Sequence, residues 1–111
     1  MALYKEEEHI CRQIGSLDWL AYCLGRQATI LRDWDRLDEA MALHMEIEKI
    51  YRHLGNKRGQ CISLTNQASI HAVQGDKLQA KEIFNKALHL VNEHDFSDLK
   101  KIVEARMSKL G

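Results

Sequence analysis

The chain has no proline, and only six of its 111 residues are glycine. Proline interrupts helices and glycine weakens them, so a chain poor in both can form long uninterrupted helices. Gly15, Gly55 and Gly75 each follow a segment whose apolar residues have helical spacing, and glycine is common just beyond a helix end. We also find no linker, no low-complexity stretch and no strand pattern. These features predict an all-α chain.

The chain lacks an excess of charge of either sign, because 16 basic and 16 acidic residues give a formal net charge of zero. Phosphate binding needs a concentrated positive face, so a nucleic-acid partner is disfavoured. No apolar run approaches the roughly 20 residues of a membrane helix. The first four residues lead directly into Lys5 and three glutamates, where a signal peptide would be apolar. We therefore expect no membrane partner and a cytoplasmic location.

Residue patterns that carry chemistry are also missing. The three cysteines are odd in number and lack a CxxC spacing, which favours a reducing, intracellular setting. No two of the six histidines form an HxxxH pair, so a zinc site is not expected. No catalytic triad order or glycine-rich phosphate loop is recognisable. We predict that the chain is not an enzyme and that it needs no cofactor.

The sequence repeats with a period of about 40 residues. When the chain is shifted by 40, 13 of the first 40 positions are identical. The clearest recurrences are Met1-Ala2-Leu3 with Met41-Ala42-Leu43, Gln27-Ala28 with Gln67-Ala68, and Ala40 with Ala80. A short repeat cannot bury its own apolar face, so the repeats are expected to stack on one another.

Apolar spacing predicts six helices joined by short loops, and therefore antiparallel neighbours. They cover approximately residues 3–14, 17–33, 36–54, 57–73, 77–92 and the segment from residue 95 onwards. The first helix carries a stripe of Leu3, Ile10, Cys11 and Ile14. The acidic run at residues 6–8 is expected to be a solvated face of this helix. The last helix is expected to begin at Asp95, which could act as its N-cap.

Each repeat pairs a large and a small residue on its first helix with an alanine and a larger residue on its second. These residues are Leu24 and Ala28 with Ala40 and His44, then Leu64 and Ala68 with Ala80 and Phe84. On these residues the chain resembles tetratricopeptide repeats of the longer, roughly 40-residue type. That type occurs in Pins-like adaptor proteins, kinesin light chains and bacterial signalling arrays. The resemblance, which covers most of residues 1–94, implies a right-handed solenoid of helical hairpins that serves as a protein-interaction scaffold.

The phase of the repeat divides the chain, treated as one domain of residues 1–111, into four parts. Residues 1–15 match the second helix of an incomplete repeat. Residues 16–55 and 56–94 are repeats, and residues 95–111 form a C-terminal capping helix. This phase suggests a fragment of a longer array, and one flank of the first helix is expected to be uncovered. We therefore expect a tendency to self-associate through that helix.

The resemblance also implies which residues bind a partner, because the first helix of each repeat lines a concave face. The predicted binding residues are Tyr22, Arg26, Thr29, Ile62, Asn66, Ser69 and Arg106. Ile102 and Lys109 complete the last row of this 40-residue pattern. Each step combines an apolar contact with amide or guanidinium donors that can bind the backbone or carboxylates of a peptide. The simpler interpretation is a solvated helix face that happens to alternate.

Three further possibilities remain open from the sequence. The repeats could serve mainly for oligomerisation, or they could form a regulatory sensor array attached to another domain. The carboxylate clamp of chaperone-binding family members needs several lysines and asparagines at set positions, and only Arg26 and Asn66 suggest it.

Trp34 lies in a turn, where it could be either a packing plug or an exposed contact point.

Overall fold

The computed structural model describes residues 1–110 and contains six α-helices within that range. They are α1 (Ala2–Ile14), α2 (Leu17–Asp33), α3 (Leu37–Leu54), α4 (Lys57–Val73), α5 (Lys77–His94) and α6 (Ser97–Ser108). Consecutive helices pack as antiparallel pairs along the chain, and residues 1–110 contain no strand. The predicted all-α class and helix number are therefore confirmed. No helix in this range is long and apolar enough to cross a membrane.

The five turns between the helices share one backbone geometry. In each turn one residue has a positive φ angle, and these residues are Gly15, Asp35, Gly55, Gly75 and Asp95, spaced 20 apart. In every case the next residue donates its backbone N–H to the carbonyl oxygen five positions earlier, as for Ser16 to Cys11. This hydrogen bond satisfies a carbonyl that the helix end would otherwise leave free.

The start of α6 differs from the prediction. Asp95 adopts the left-handed conformation, with φ 58° and ψ 46°, and ends α5 instead of starting α6. Phe96 is the residue before the helix, and α6 begins at Ser97. The error arose because aspartate is a common helix N-cap, whereas here it takes the position that glycine occupies after α1 and α3.

Small buried residues allow the helices to approach closely. Ala28 and Ala40 have no exposed surface, and neither do their counterparts Ala68 and Ala80. Larger side chains fill the space beside them, and Phe84 is only 1% exposed. The large-beside-small pairing read from the sequence therefore lies in the interior, except that Leu64 is half-buried at its edge.

A second large-beside-small pair fixes how α3 meets α4. A Cβ atom added to Gly59 would lie only 2.7 Å from Cγ of Tyr51, so the Tyr51 ring rests directly on the Gly59 backbone. One repeat later, both counterparts are of medium size, since Val91 and Leu99 pack in the same apolar cluster. The two repeats thus fill equivalent space with different combinations of side chains.

Helix α1 packs against α2 with only part of the apolar stripe that the sequence pattern predicted for it. Cys11 is buried, but Leu3, Ile10 and Ile14 are 63%, 53% and 70% exposed. The expected solvated acidic face is wrong at two of three positions, because Glu7 and Glu8 are half-buried. Both carboxylates point toward α2, where polar side chains receive them.

These receiving side chains are Cys23 and Gln27. The Cys23 thiol donates to Glu7 Oε2 over 3.4 Å, and burial, followed by this hydrogen bond, raises the pKa of Cys23 to about 12. The Gln27 amide donates to Glu8 Oε1 over 2.8 Å. Burial acts to raise the pKa of Glu8, but hydrogen bonds from Gln27 and Arg12 outweigh it, so the pKa is lowered. A polar contact therefore joins α1 to the rest of the chain.

Candidate functional site

Two adjoining depressions run across the face formed by α2, α4 and α6. The first has a volume of about 230 Å³ and lies between α2 and α4. The second has a volume of about 520 Å³ and lies between α4 and α6, beside the end of α2 and the start of α5. His44 and Asn66 line both. We call the two together the groove, with an α2–α4 half and an α4–α6 half.

All seven predicted binding residues line the groove. Tyr22, Arg26, Thr29 and Ile62 line the α2–α4 half, Ser69 and Arg106 line the α4–α6 half, and Asn66 lines both. The 40-residue spacing thus places side chains from three helices on one continuous surface. Their role in binding a partner stays a prediction. Ile102 is 45% exposed but lines neither depression.

The α2–α4 half presents exposed apolar side chains. Tyr22 is 51% exposed and Ile62 is 44% exposed. Trp19 packs edge-on against Tyr22, with ring centroids 5.8 Å apart and planes at 85°, which is a favourable aromatic arrangement. Sequence spacing alone did not place Trp19 beside this row, since it lies one helical turn before Tyr22. Trp34 is 55% exposed, so of its two interpretations the structure favours a surface position.

Arg26 is held by a residue that sequence reasoning missed. Its Nε donates to the Tyr4 hydroxyl over 3.4 Å, and its guanidinium carbon lies 5.7 Å from the centre of the Tyr4 ring. Helix α1 therefore orients a groove residue through Tyr4, which itself lines neither depression. Such a contact orients a guanidinium without neutralising its charge.

Arg106, Asn66 and Ser69 form a cluster across α4 and α6. Arg106 Nη1 donates to Asn66 Oδ1 over 3.2 Å and to Ser69 Oγ over 3.3 Å. The Ser69 hydroxyl in turn donates to the Thr65 carbonyl over 3.0 Å, as the Thr29 hydroxyl does to the Gly25 carbonyl over 3.1 Å. The hydroxyl protons are therefore used within the helices, and the guanidinium is the main donor that faces the groove.

His44 lies beneath the junction of the two halves. It is only 7% exposed, and burial, with a smaller contribution from the charge of Arg32, lowers its pKa from 6.5 to about 4. Its carbonyl oxygen accepts hydrogen bonds from the Ser63 hydroxyl over 2.6 Å and from the Gln67 amide over 3.4 Å. A neutral imidazole is therefore part of the groove floor near pH 7.

Within residues 1–110 there is no group of three or more His, Cys, Asp or Glu side chains that could hold a metal ion. All three cysteines are free and buried, and burial also raises the pKa of Cys61. No cysteine lines the groove, which offers apolar contacts and hydrogen-bond donors. No family model matches the chain, and no curated protein sequence matches it.

Proposed function

We propose that this chain is a non-enzymatic scaffold that binds a peptide or a helix of a partner protein along the groove. The observation that carries the proposal is that side chains from α2, α4 and α6 line two adjoining depressions, which share His44 and Asn66. Exposed apolar groups combined with fixed polar donors are the usual composition of a peptide-binding groove. Free, buried cysteines fit the cytoplasmic location expected for such a scaffold.

We infer that the finer architecture is a right-handed solenoid of the tetratricopeptide type. Three features support this inference: turns of one geometry every 20 residues, buried alanines every 40 residues, and consecutive antiparallel pairs. In such an array the first helices face a common partner. The α2, α4 and α6 helices take that position here.

Affinity in this groove is expected to come from several modest contacts. Full burial of an isoleucine or aromatic side chain contributes about 1.5–3 kcal/mol. Tyr22 and Ile62 are already about half-buried, so each would add roughly 1 kcal/mol on binding. Loss of both side chains should therefore lower the affinity for a partner by about tenfold or more.

Selection from a random 12-residue peptide display library tests the proposal without knowledge of the natural partner. Peptides enriched on the wild-type chain should bind the Tyr22→Ser/Ile62→Ser variant about tenfold more weakly. The Met45→Ser/Leu78→Ser variant is the matched control, because these side chains are 48% and 74% exposed and lie outside the groove. A failure to enrich any peptide, or an equal loss in both variants, contradicts the proposal.

The exposed face of α1 favours a second function, self-association. Leu3, Ile10 and Ile14 lie on one side of α1 and each is more than half exposed. Such a stripe favours burial against another surface. Sedimentation velocity should detect oligomers that Leu3→Ser/Ile10→Ser dissociates, while peptide capture by the groove persists. A wild-type chain that stays monomeric at high concentration contradicts this function.

A further inference from the structure

The α4–α6 half of the groove has a charge that the whole chain lacks. The formal net charge of the chain is zero. Four basic residues nevertheless line this half, namely Arg32, Lys77, Arg106 and Lys109, against the single carboxylate of Asp35. The 40-residue pattern did not predict this concentration, because Arg32 comes from the end of α2 and Lys77 from the start of α5.

Arginines outside the groove have their charge balanced by carboxylates. Arg12 forms ion pairs with Glu8 and Glu46, each over 2.9 Å. The other ion-paired arginines outside the groove are Arg36 with Glu39, Arg52 with Glu48 and Arg58 with Asp98. Such pairs reduce the attraction of each arginine for an external anion.

The cations of the α4–α6 half are not balanced in this way. Among residues 1–110, no carboxylate lies within 4.0 Å of Arg106, Lys77 or Lys109, and the partners of Arg106 are the neutral side chains of Asn66 and Ser69. Arg32 has only a loose contact with the neighbouring Asp33 over 3.9 Å, and both side chains are more than half exposed. This half of the groove therefore attracts anions.

The surface between these cations is apolar. Ile70 and Phe84 form buried parts of the lining, Leu110 is half-buried, and Val73 is 73% exposed. An apolar surface of this kind favours a ligand that also buries hydrocarbon. A nucleic acid would instead use exposed aromatic rings for stacking, and Phe84 is only 1% exposed.

We propose that the α4–α6 half of the groove binds an acidic segment of a partner protein, one that places a large apolar side chain between its carboxylates. This proposal rests on the proposed function and adds the chemical class of the partner. The carboxylates pair with Arg106, Lys109 and their basic neighbours, and the apolar side chain contacts the accessible Val73 and Leu110. Nη1 of Arg106 already donates to Asn66 and Ser69, so the opposite edge of the guanidinium, Nε and Nη2, can donate two parallel hydrogen bonds to a carboxylate.

The peptide selection also tests this chemical class. Peptides enriched on the wild-type chain should contain more Asp and Glu than the starting library, together with Leu, Ile or Phe. Selection on the Arg106→Gln/Lys109→Gln variant should lose this acidic enrichment. The Lys81→Gln/Lys100→Gln variant is the matched control for charge, since both lysines are exposed and lie outside the groove.

Fluorescence anisotropy with one enriched acidic peptide then measures the contribution of charge. Replacement of its carboxylates by amides should weaken binding at least about tenfold, as should the Arg106→Gln/Lys109→Gln variant. An increase from about 50 to about 500 mM NaCl should also weaken binding, since exposed charges are screened at high salt. The Lys81→Gln/Lys100→Gln variant should bind within about twofold of the wild type.

The possible results separate this inference from the proposed function. Enrichment of neutral or basic peptides that depend on Tyr22 and Ile62 overturns the acidic class but keeps the groove function. No enrichment of any peptide overturns both. A 12-nucleotide single-stranded DNA that binds more tightly than the acidic peptide, and loses binding in Arg106→Gln/Lys109→Gln, assigns the cations to nucleic acid and overturns the inference.

Discussion

Replacement of Gly59 by alanine is expected to destabilise the chain, although alanine usually stabilises a helix. The added Cβ would lie 2.7 Å from Cγ of Tyr51 and 2.8 Å from each Cδ atom, so it meets the base of the ring. The ring must move, and such overpacking costs about 1–3 kcal/mol. The gain in helix propensity is at most about 1 kcal/mol. Gly59→Ala should therefore lower the free energy of unfolding by roughly 1–2 kcal/mol.

Gly25→Ala is the matched control. Gly25 lies in the interior of α2, and a Cβ atom there would meet nothing within 4 Å. The propensity gain therefore acts alone, and we expect stabilisation by about 0.5–1 kcal/mol. The same substitution thus has opposite signs at two helical glycines, and the only structural difference invoked is the Tyr51 ring.

Urea denaturation followed by circular dichroism provides the assay, and a double-mutant cycle isolates the contact. Tyr51→Val should lower the free energy of unfolding in both backgrounds. The loss should be smaller in Gly59→Ala than in the wild type, by about 1 kcal/mol or more, because the smaller side chain makes room for the added methyl group. A stabilising Gly59→Ala variant, or a cycle with no coupling, would refute this account of the α3–α4 contact.

Two further predictions concern His44 and the left-handed turns. The pKa of His44 is lowered from 6.5 to about 4 in the folded chain, so the unfolded chain binds the proton more tightly. The contribution of neutral His44 to the free energy of unfolding is therefore complete above pH 6.5 and is lost as the pH falls toward 4. The loss of unfolding free energy amounts to roughly 3 kcal/mol, and urea titrations at several pH values should not show this loss in His44→Phe. If His44→Phe had the same pH dependence as the wild type, the burial of a neutral imidazole would be contradicted. At Gly55, where φ is 72°, alanine should cost about 1–2 kcal/mol because side chains disfavour this conformation, and thermal unfolding at wild-type stability would contradict it.

The sequence predicted the regular parts of the fold because helical spacing and terminal glycines are local signals. Gly15 and Gly55 mark helix ends without reference to the rest of the chain. Asp35 and Asp95 adopt the same left-handed geometry, but aspartate is equally common at other turn positions. Their conformation became clear only from the structure of the turns.

Contacts between helices were harder to predict. The α1 face toward α2 uses Glu7 and Glu8, which a hydrophobic pattern assigns to solvent. The ring of Tyr51 fills the space that the missing side chain of Gly59 leaves, and this pairing can be recognised only when the two positions are known to be in contact. The 40-residue spacing follows the helix phase, so the seven residues it selected lie together along the groove, and their role in binding stays a prediction. It missed Tyr4, which reaches Arg26 from a helix of the other type.

Chemical-shift mapping of the isotope-labelled chain with an enriched acidic peptide tests the central claim most directly. We predict that the largest amide shifts cluster along the groove, at Tyr22, Arg26, Ile62, Asn66 and Arg106. Shifts concentrated on the exposed stripe of α1, or on the outer faces of α3 and α5, would show that the partner binds elsewhere and contradict the assignment of the groove.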